Sequence, residues 1–173
     1  MSDDATLDIE LRPWSPDDLD LMTALLGDPA MTEHLGGPES PDKLRKRLDG
    51  YVSMTPAEGR MFVITVGPGR EAAGSVGYWP REPGVLETGW SVLPAFQGRG
   101  VATQGTRLCL DIAAADGGWQ TIHAYPSVEN AASNALCRRL GFVLLGQDRF
   151  EYPAGHWMTC NDWSLDLRSW ATT

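Results

Sequence analysis

The segment PAFQGRGVATQG, residues 94–105, holds three glycines with Gln97, Arg99, Thr103 and Gln104 between a strand-like run and a helix-like run. Such a turn suits an anion. The first amides of a helix lack intrahelical partners, and the helix dipole is positive there. Gly98 and Gly100 let the backbone approach a phosphate closely, and Arg99 adds a positive charge. Two nucleotide alternatives fail. A dinucleotide fingerprint needs glycine where Thr103 stands, and a Walker loop needs a Gly-Lys pair that the chain lacks. The other reading of the glycines is a plain strand-to-helix turn. Two titratable groups lie on neighbouring strand-like runs. In LETGWSVL, Glu87 shares a face with Gly89 and Ser91, opposite Leu86, Thr88, Trp90 and Val92. His123 lies in TIHAY. Either is a candidate general base, and each has an ordinary structural alternative: an exposed strand acid, or a packed and satisfied histidine.

The elements that must position these groups follow from turn punctuation. LDIELRPW alternates and predicts a strand. Ser15, Pro16 and Asp18 make a capping box for a helix that stops near Gly27, and Ser40-Pro41 opens a second helix. MFVITV, AAGSVGYW and LETGWSVL, joined by GPGRE and REPG, predict an antiparallel meander over about residues 61–93. A helix from Gly100 to about Ala115 places Val101, Gly105, Leu108 and Ile112 on one face. WQTIHAY is a strand, NAASNALCRRLGF a short helix, and FVLLGQDRFEY and HWMTCNDWSLDL a final hairpin. The order is β-α-α-β-β-β-α-β-α-β-β. The helix between the strands ending near 93 and 125 implies a crossover and one parallel pair. The expected fold is α/β (α+β): a mixed, mostly antiparallel sheet of about seven strands with helices on both faces.

Bulk properties narrow the function. The chain has 173 residues, 42% hydrophobic, which suits one domain over 1–173, with residues 1–6 flexible and 168–173 a tail. A net charge of −9 argues against nucleic acid or an anionic membrane as partner. Cys109, Cys137 and Cys160 form no CxxC, and His34, His123 and His156 form no HxxxH, so no metal site or disulfide framework is expected. MSDDATLDIE has no apolar signal core and no apolar run reaches membrane-spanning length, so the expected location is cytoplasmic.

The residues Gln97-Gly98-Arg99-Gly100-Val101-Ala102 resemble the Q/R-x-x-G-x-G/A acetyl-CoA loop of the GNAT acetyltransferase superfamily. NAASNALCRRLGF at 130–142 resembles the N-x-x-S-x-x-L…G-F helix of its ribosomal-protein N-terminal acetyltransferase (RimJ/RimL-type) group. Element order fits over roughly residues 7–167. The resemblance implies an acetyl-CoA-dependent N-acetyltransferase that works by direct attack in a ternary complex. It implies that the pantetheine arm lies against Ser91, Val92 and Leu93, and that the pyrophosphate meets the backbone of Gln97 to Thr103. Asn130 would bond the pantetheine, unless it caps its helix instead. Ser133 would lie near the thioester sulfur, unless it is a solvated hydroxyl. Glu87 or His123 would take the amine's proton. Many superfamily members carry tyrosine seven residues after the motif asparagine; here Cys137 stands there, which favours Ser133 or unassisted thiolate release.

The acceptor pocket is expected between the MTEHLGGPES loop (31–40) and the EYPAGHW hairpin (151–157), drawing on Trp14, Tyr78, Trp79, Tyr152 and Trp157, most of which are expected in the core. Glu33, Glu39 and Glu151 are candidate attractors for a cationic amine. The acceptor is a small amine or a protein N-terminus, and the lack of an evident basic patch leans toward the small amine. The assembly is a monomer or homodimer. The alternative is a non-catalytic CoA-binding or sensor module on the same fold.

Overall fold

A computed structural model describes residues 7–151 and 154–170. Seven strands form one sheet in the order β1-β2-β3-β4-β5-β7-β6: β1 (Ile9–Pro13), β2 (Arg60–Val66), β3 (Glu71–Glu82), β4 (Val85–Val92), β5 (Thr121–Ala124), β6 (Val143–Glu151) and β7 (Trp157–Asp166). All neighbours are antiparallel except β4 and β5. The helices are α1 (Leu19–Leu26), α2 (Pro41–Ser53), α3 (Val101–Asp116), α4 (Ala131–Arg139) and α5 (Leu167–Trp170). The expected mixed sheet and its single parallel pair are present. Residues 168–170, placed in the expected tail, complete α5, and the Trp170 indole donates to Asp111 at 2.9 Å.

Both faces of the sheet are covered because β2 alternates inward to two layers. Val63, fully buried, packs with Trp14, Leu21, Met22, Leu25, Leu44 and Leu48 under α1 and α2. Ile64, also fully buried, packs with Val76, Leu86, Ile122, Cys109 and Leu110 under α3. The predicted capping box is formed: the Asp18 carboxylate accepts from the Ser15 amide at 2.8 Å. It opens a 3-10 turn (Pro16–Asp18) that leads into α1. Arg12 donates twice to the same carboxylate, at 2.8 Å each, pinning the end of β1 to this entry.

Two predicted details differ. The α3 stripe is Val101, Gly105, Cys109 and Ala113, whereas Leu108 and Ile112 are only half-buried. The small residues at 105, 109 and 113 let the helix lie close on the sheet, so the four-residue repeat wins over the larger side chains. At Gly105 an added Cβ would stand 2.8 Å from Ile64 Cδ1. The segment REPG is not all turn. β3 continues through Glu82 and only Pro83 and Gly84 turn, with Gly84 at φ +78°. The β3–β4 register shifts between Pro80 and Glu82, so Arg81 sits at a bulge, the kind of irregularity that re-aims a side chain.

Candidate active site

The parallel ladder is short. Val85, Leu86 and Glu87 pair with Thr121, Ile122 and His123, and β4 then continues to Val92 without β5 beside it. The strands have splayed, leaving a free β4 edge that runs toward the glycine loop. The Val92 carbonyl accepts from the Gln97 side-chain amide at 2.9 Å, and the Leu93 amide donates back to Ala73 of β3 at 2.8 Å. Both groups are thus committed within the protein. Backbone direction alternates along a strand, so Trp90 presents its amide and carbonyl to the same edge as Val92.

At the end of that edge α3 begins. Gly98 and Gly100 have φ of +72° and +79°, the left-handed region that side chains resist. A Cβ built at Gly98 meets nothing within 4 Å, and one at Gly100 meets only Leu7 Cδ1 at 3.9 Å. The surface above both glycines is therefore open. The first helical bond runs from the Gln104 amide to the Gly100 carbonyl at 3.0 Å, so the amides of Val101, Ala102 and Thr103 precede the hydrogen-bond ladder. Arg99 lies 5.6 Å from the Phe96 ring centroid. Arg139 of α4 reaches across to donate to the Thr103 hydroxyl at 3.0 Å. Open glycines, free helix amides and two guanidinium groups fit a pyrophosphate. Arg139 was missed in the sequence because only tertiary packing brings α4 beside the start of α3.

A cleft of about 1020 Å³ runs along the splay. Glu87, Trp90, Ser91, Val92, Gln97, Ala102, Asn130 and Ser133 all line it. The Ser133 hydroxyl accepts from the Trp90 indole at 3.2 Å, which leaves its own O–H available to donate. Asn130 caps α4: its Oδ1 accepts from the Ser133 amide at 3.1 Å, leaving only the side-chain NH2 for another partner. Of the two expected readings, the cap is the one present.

Glu87 and His123 face one another across the last parallel pair, but their surroundings differ. Glu87 lines the cleft and accepts from Arg81 at 3.0 Å. His123 does not line it; its Nδ1 is 2.6 Å from Asp162 and its Nε2 is 3.4 Å from the Ser164 hydroxyl. The histidine thus has polar partners on both nitrogens. Tyr125, which sequence reading passed over, lines the cleft, stacks on His123 at 5.8 Å and carries the Arg81 guanidinium 4.3 Å above its ring. Burial, helped by the charge of Asp162, pushes its phenol up to about 12, so it stays a neutral donor. Arg81, Tyr125 and Asp162 come from three separate strand segments, and no spacing in the sequence joins them.

The acceptor side matches expectation in part. The 31–40 loop lines the cleft, as does Trp79. Trp14 and Tyr78 belong to the core, where Tyr78 bonds Asp116. Trp157 is exposed and away from the cleft, and among the described residues the 151–157 hairpin adds nothing to its lining. Tyr152 lies outside the described residues. Glu39 is tied to Arg47 by a short ion pair, so it is no free attractor. Cys137 is fully buried and its thiol is pushed up to about 12 by burial, which removes it as nucleophile or acid. Among the described residues no group of three or more histidines, cysteines or carboxylates is placed to hold a metal, and no helix is long and apolar enough to cross a membrane.

The chain matches the Acetyltransferase (GNAT) domain family over residues 8–143. No curated protein matches it. Among solved structures it is similar to a Salmonella typhimurium acetyltransferase that modifies the N-terminal serine of a 50S ribosomal subunit protein, with 25% identity, a TM-score of 0.79, and 91% of this chain and 94% of that one covered. It is similar to the RimL ribosomal alpha-N-protein acetyltransferase in complex with coenzyme A, at 25% identity and a TM-score of 0.78 over 91% and 93% of the two chains. The fold also matches a spermidine N-acetyltransferase from Vibrio cholerae in complex with CoA and spermine, at 20% identity and a TM-score of 0.80 over 94% and 97%. GNAT acetyltransferases use acetyl-CoA, and the open glycine turn fits its pyrophosphate. The chain belongs to the GNAT acetyltransferase family and is an N-acetyltransferase.

Proposed function

We propose that the protein acetylates a primary amine by direct attack, with acetyl-CoA and the amine bound together in the cleft. Acetyl-CoA supplies the acetyl thioester. The observation that carries this reading is the continuity of three features: a free β4 edge, an open glycine turn and the unpaired amides of α3. The backbone of Trp90 holds the pantetheine arm, and the amides of Gly98 to Thr103 with Arg99 and Arg139 hold the pyrophosphate, while Asn130 caps α4 and so presents Ser133.

Glu87 takes the proton that the attacking amine must lose, because it faces the cleft while His123 is held behind it by Asp162. Arg81 keeps that carboxylate in place. Ser133, turned by the Trp90 indole, donates its O–H to the departing sulfur. The buried Cys137 supports a route without an acetyl-enzyme.

The test is release of CoA thiol from acetyl-CoA over a panel of amines, including diamines and short peptides with free N-termini. Amine-dependent release is expected. Tight CoA binding with no amine-dependent thiol would support a non-catalytic CoA-binding module instead.

A further inference from the structure

A basic surface adjoins the acceptor side of the cleft. Both lysines of the chain, Lys43 and Lys46, lie one turn apart on α2, and with Arg45 and Arg47 they place four cations in positions 43–47 of a chain whose net charge is −9. Arg47 is paired with Glu39, and Arg45 leans on Asp42 at 3.8 Å. Among the described residues neither lysine ammonium has an ion-pair partner. Both line a groove of about 700 Å³ together with Tyr51, Thr55 and Glu58. The Glu58 carboxylate accepts from the Thr55 amide and hydroxyl and forms no ion pair with either lysine.

The groove continues the cleft: Glu39, Lys43, Arg47 and Tyr51 line both. One continuous surface therefore offers a carboxylate, Glu87, at the reaction end and two uncommitted ammonium groups at the other. A free amino acid carries its amine and carboxylate on one carbon and does not span the two cavities. An extended peptide does, and its alternate side chains project to one side about 7 Å apart. Lysines three apart on a helix have Cβ atoms about 5–6 Å apart, and their flexible stems let the ammonium groups span a comparable spacing.

We propose that the acceptor is a peptide whose N-terminal amine enters at Glu87 and whose acidic side chains, a few residues downstream, rest on Lys43 and Lys46. This rests on the acetyl-transfer reading above. The test uses the full chain and two hexapeptide amides, Ala-Gly-Asp-Ala-Asp-Ala and its Asn counterpart. The wild type should favour the Asp peptide in kcat/KM by about ten-fold, with a preference that shrinks as salt rises. K43Q/K46Q should bring the ratio close to one. A wild-type ratio near one, or a preference that survives K43Q/K46Q, overturns the proposal. So does a large loss of acetyl-CoA affinity in that variant, which would assign the lysines to the cofactor. Failure to acetylate either peptide also overturns it; a diamine turned over in the same assay would show that acetyl transfer itself stands, and its failure too would sink both readings.

Discussion

Glu87 and His123 form the last register pair of the parallel β4–β5 ladder, and the cleft opens where that pair ends. The carboxylate looks into the opening. The imidazole looks away, to Asp162 at 2.6 Å. The same backbone event, strand separation, thus frees the β4 edge and leaves the Glu87 carboxylate at its root.

On the proposed mechanism, replacing Glu87 should slow transfer without removing the cofactor. Glu87→Gln should lower kcat/KM by about 100-fold, in the range for a positioned general base. The loss should be largest at low pH, where a protonated acceptor amine has no lone pair, and should shrink as pH approaches the amine's own value, about 8 for a peptide N-terminus and about 10 for an alkylamine. An unchanged pH–rate profile would remove Glu87 from this role.

The glycine at the start of α3 has a backbone that a branched side chain resists. Gly100→Val places a Cβ at φ +79°, a strain of about 1–3 kcal/mol, on the surface where the pyrophosphate would come close. Acetyl-CoA affinity, read by calorimetric titration, should fall beyond detection while the far-UV spectrum is retained. Wild-type affinity would mean the phosphate lies elsewhere.

Close packing of α3 makes a separate, structural prediction. Gly105→Ala drives a methyl to within 2.8 Å of Ile64 Cδ1, and overpacking of this size costs about 1–3 kcal/mol. Urea unfolding should show that loss of stability. A neutral result would mean that Ile64 has room to move.

Much of this was legible because it is local. The Ser15–Asp18 box, the Ser40-Pro41 start and the Gly98–Gly100 turn each declare themselves within four residues, and each is present. The buried stripe of α3 was misread because Leu108 and Ile112 look more like core than Cys109 and Ala113; close approach to the sheet, invisible in a helical projection, decides for the small residues. Arg81, Tyr125, Arg139 and Asp162 were not legible at all. Arg81 reaches Glu87 from a bulge at the end of β3, Tyr125 takes its place just past the end of β5, and Arg139 reaches Thr103 only after α4 docks on α3.

Acid should loosen the entry to α1. The paired Arg12 guanidinium, as hydrogen-bond donor, holds the Asp18 carboxyl below the usual carboxylate range. A lowered folded value means the stabilisation is fully present above about pH 4 and is lost as pH falls through the lowered value. Asp18→Asn should cost about 1–2 kcal/mol at neutral pH, the scale of a lost cap, and should flatten the acid limb of stability against pH. Urea unfolding at a series of pH values reads both effects, and an acid limb identical to the wild type would contradict the assignment.

The most direct measurement is a crystal structure of the protein with CoA. The pyrophosphate should lie within hydrogen-bonding distance of the amides between Gly98 and Thr103, the pantetheine should pair with Trp90 along the free β4 edge, and the thiol should end beside Ser133 and within reach of Glu87. A cofactor lodged outside the β4–β5 splay, or a thiol pointing away from Ser133, would contradict the account.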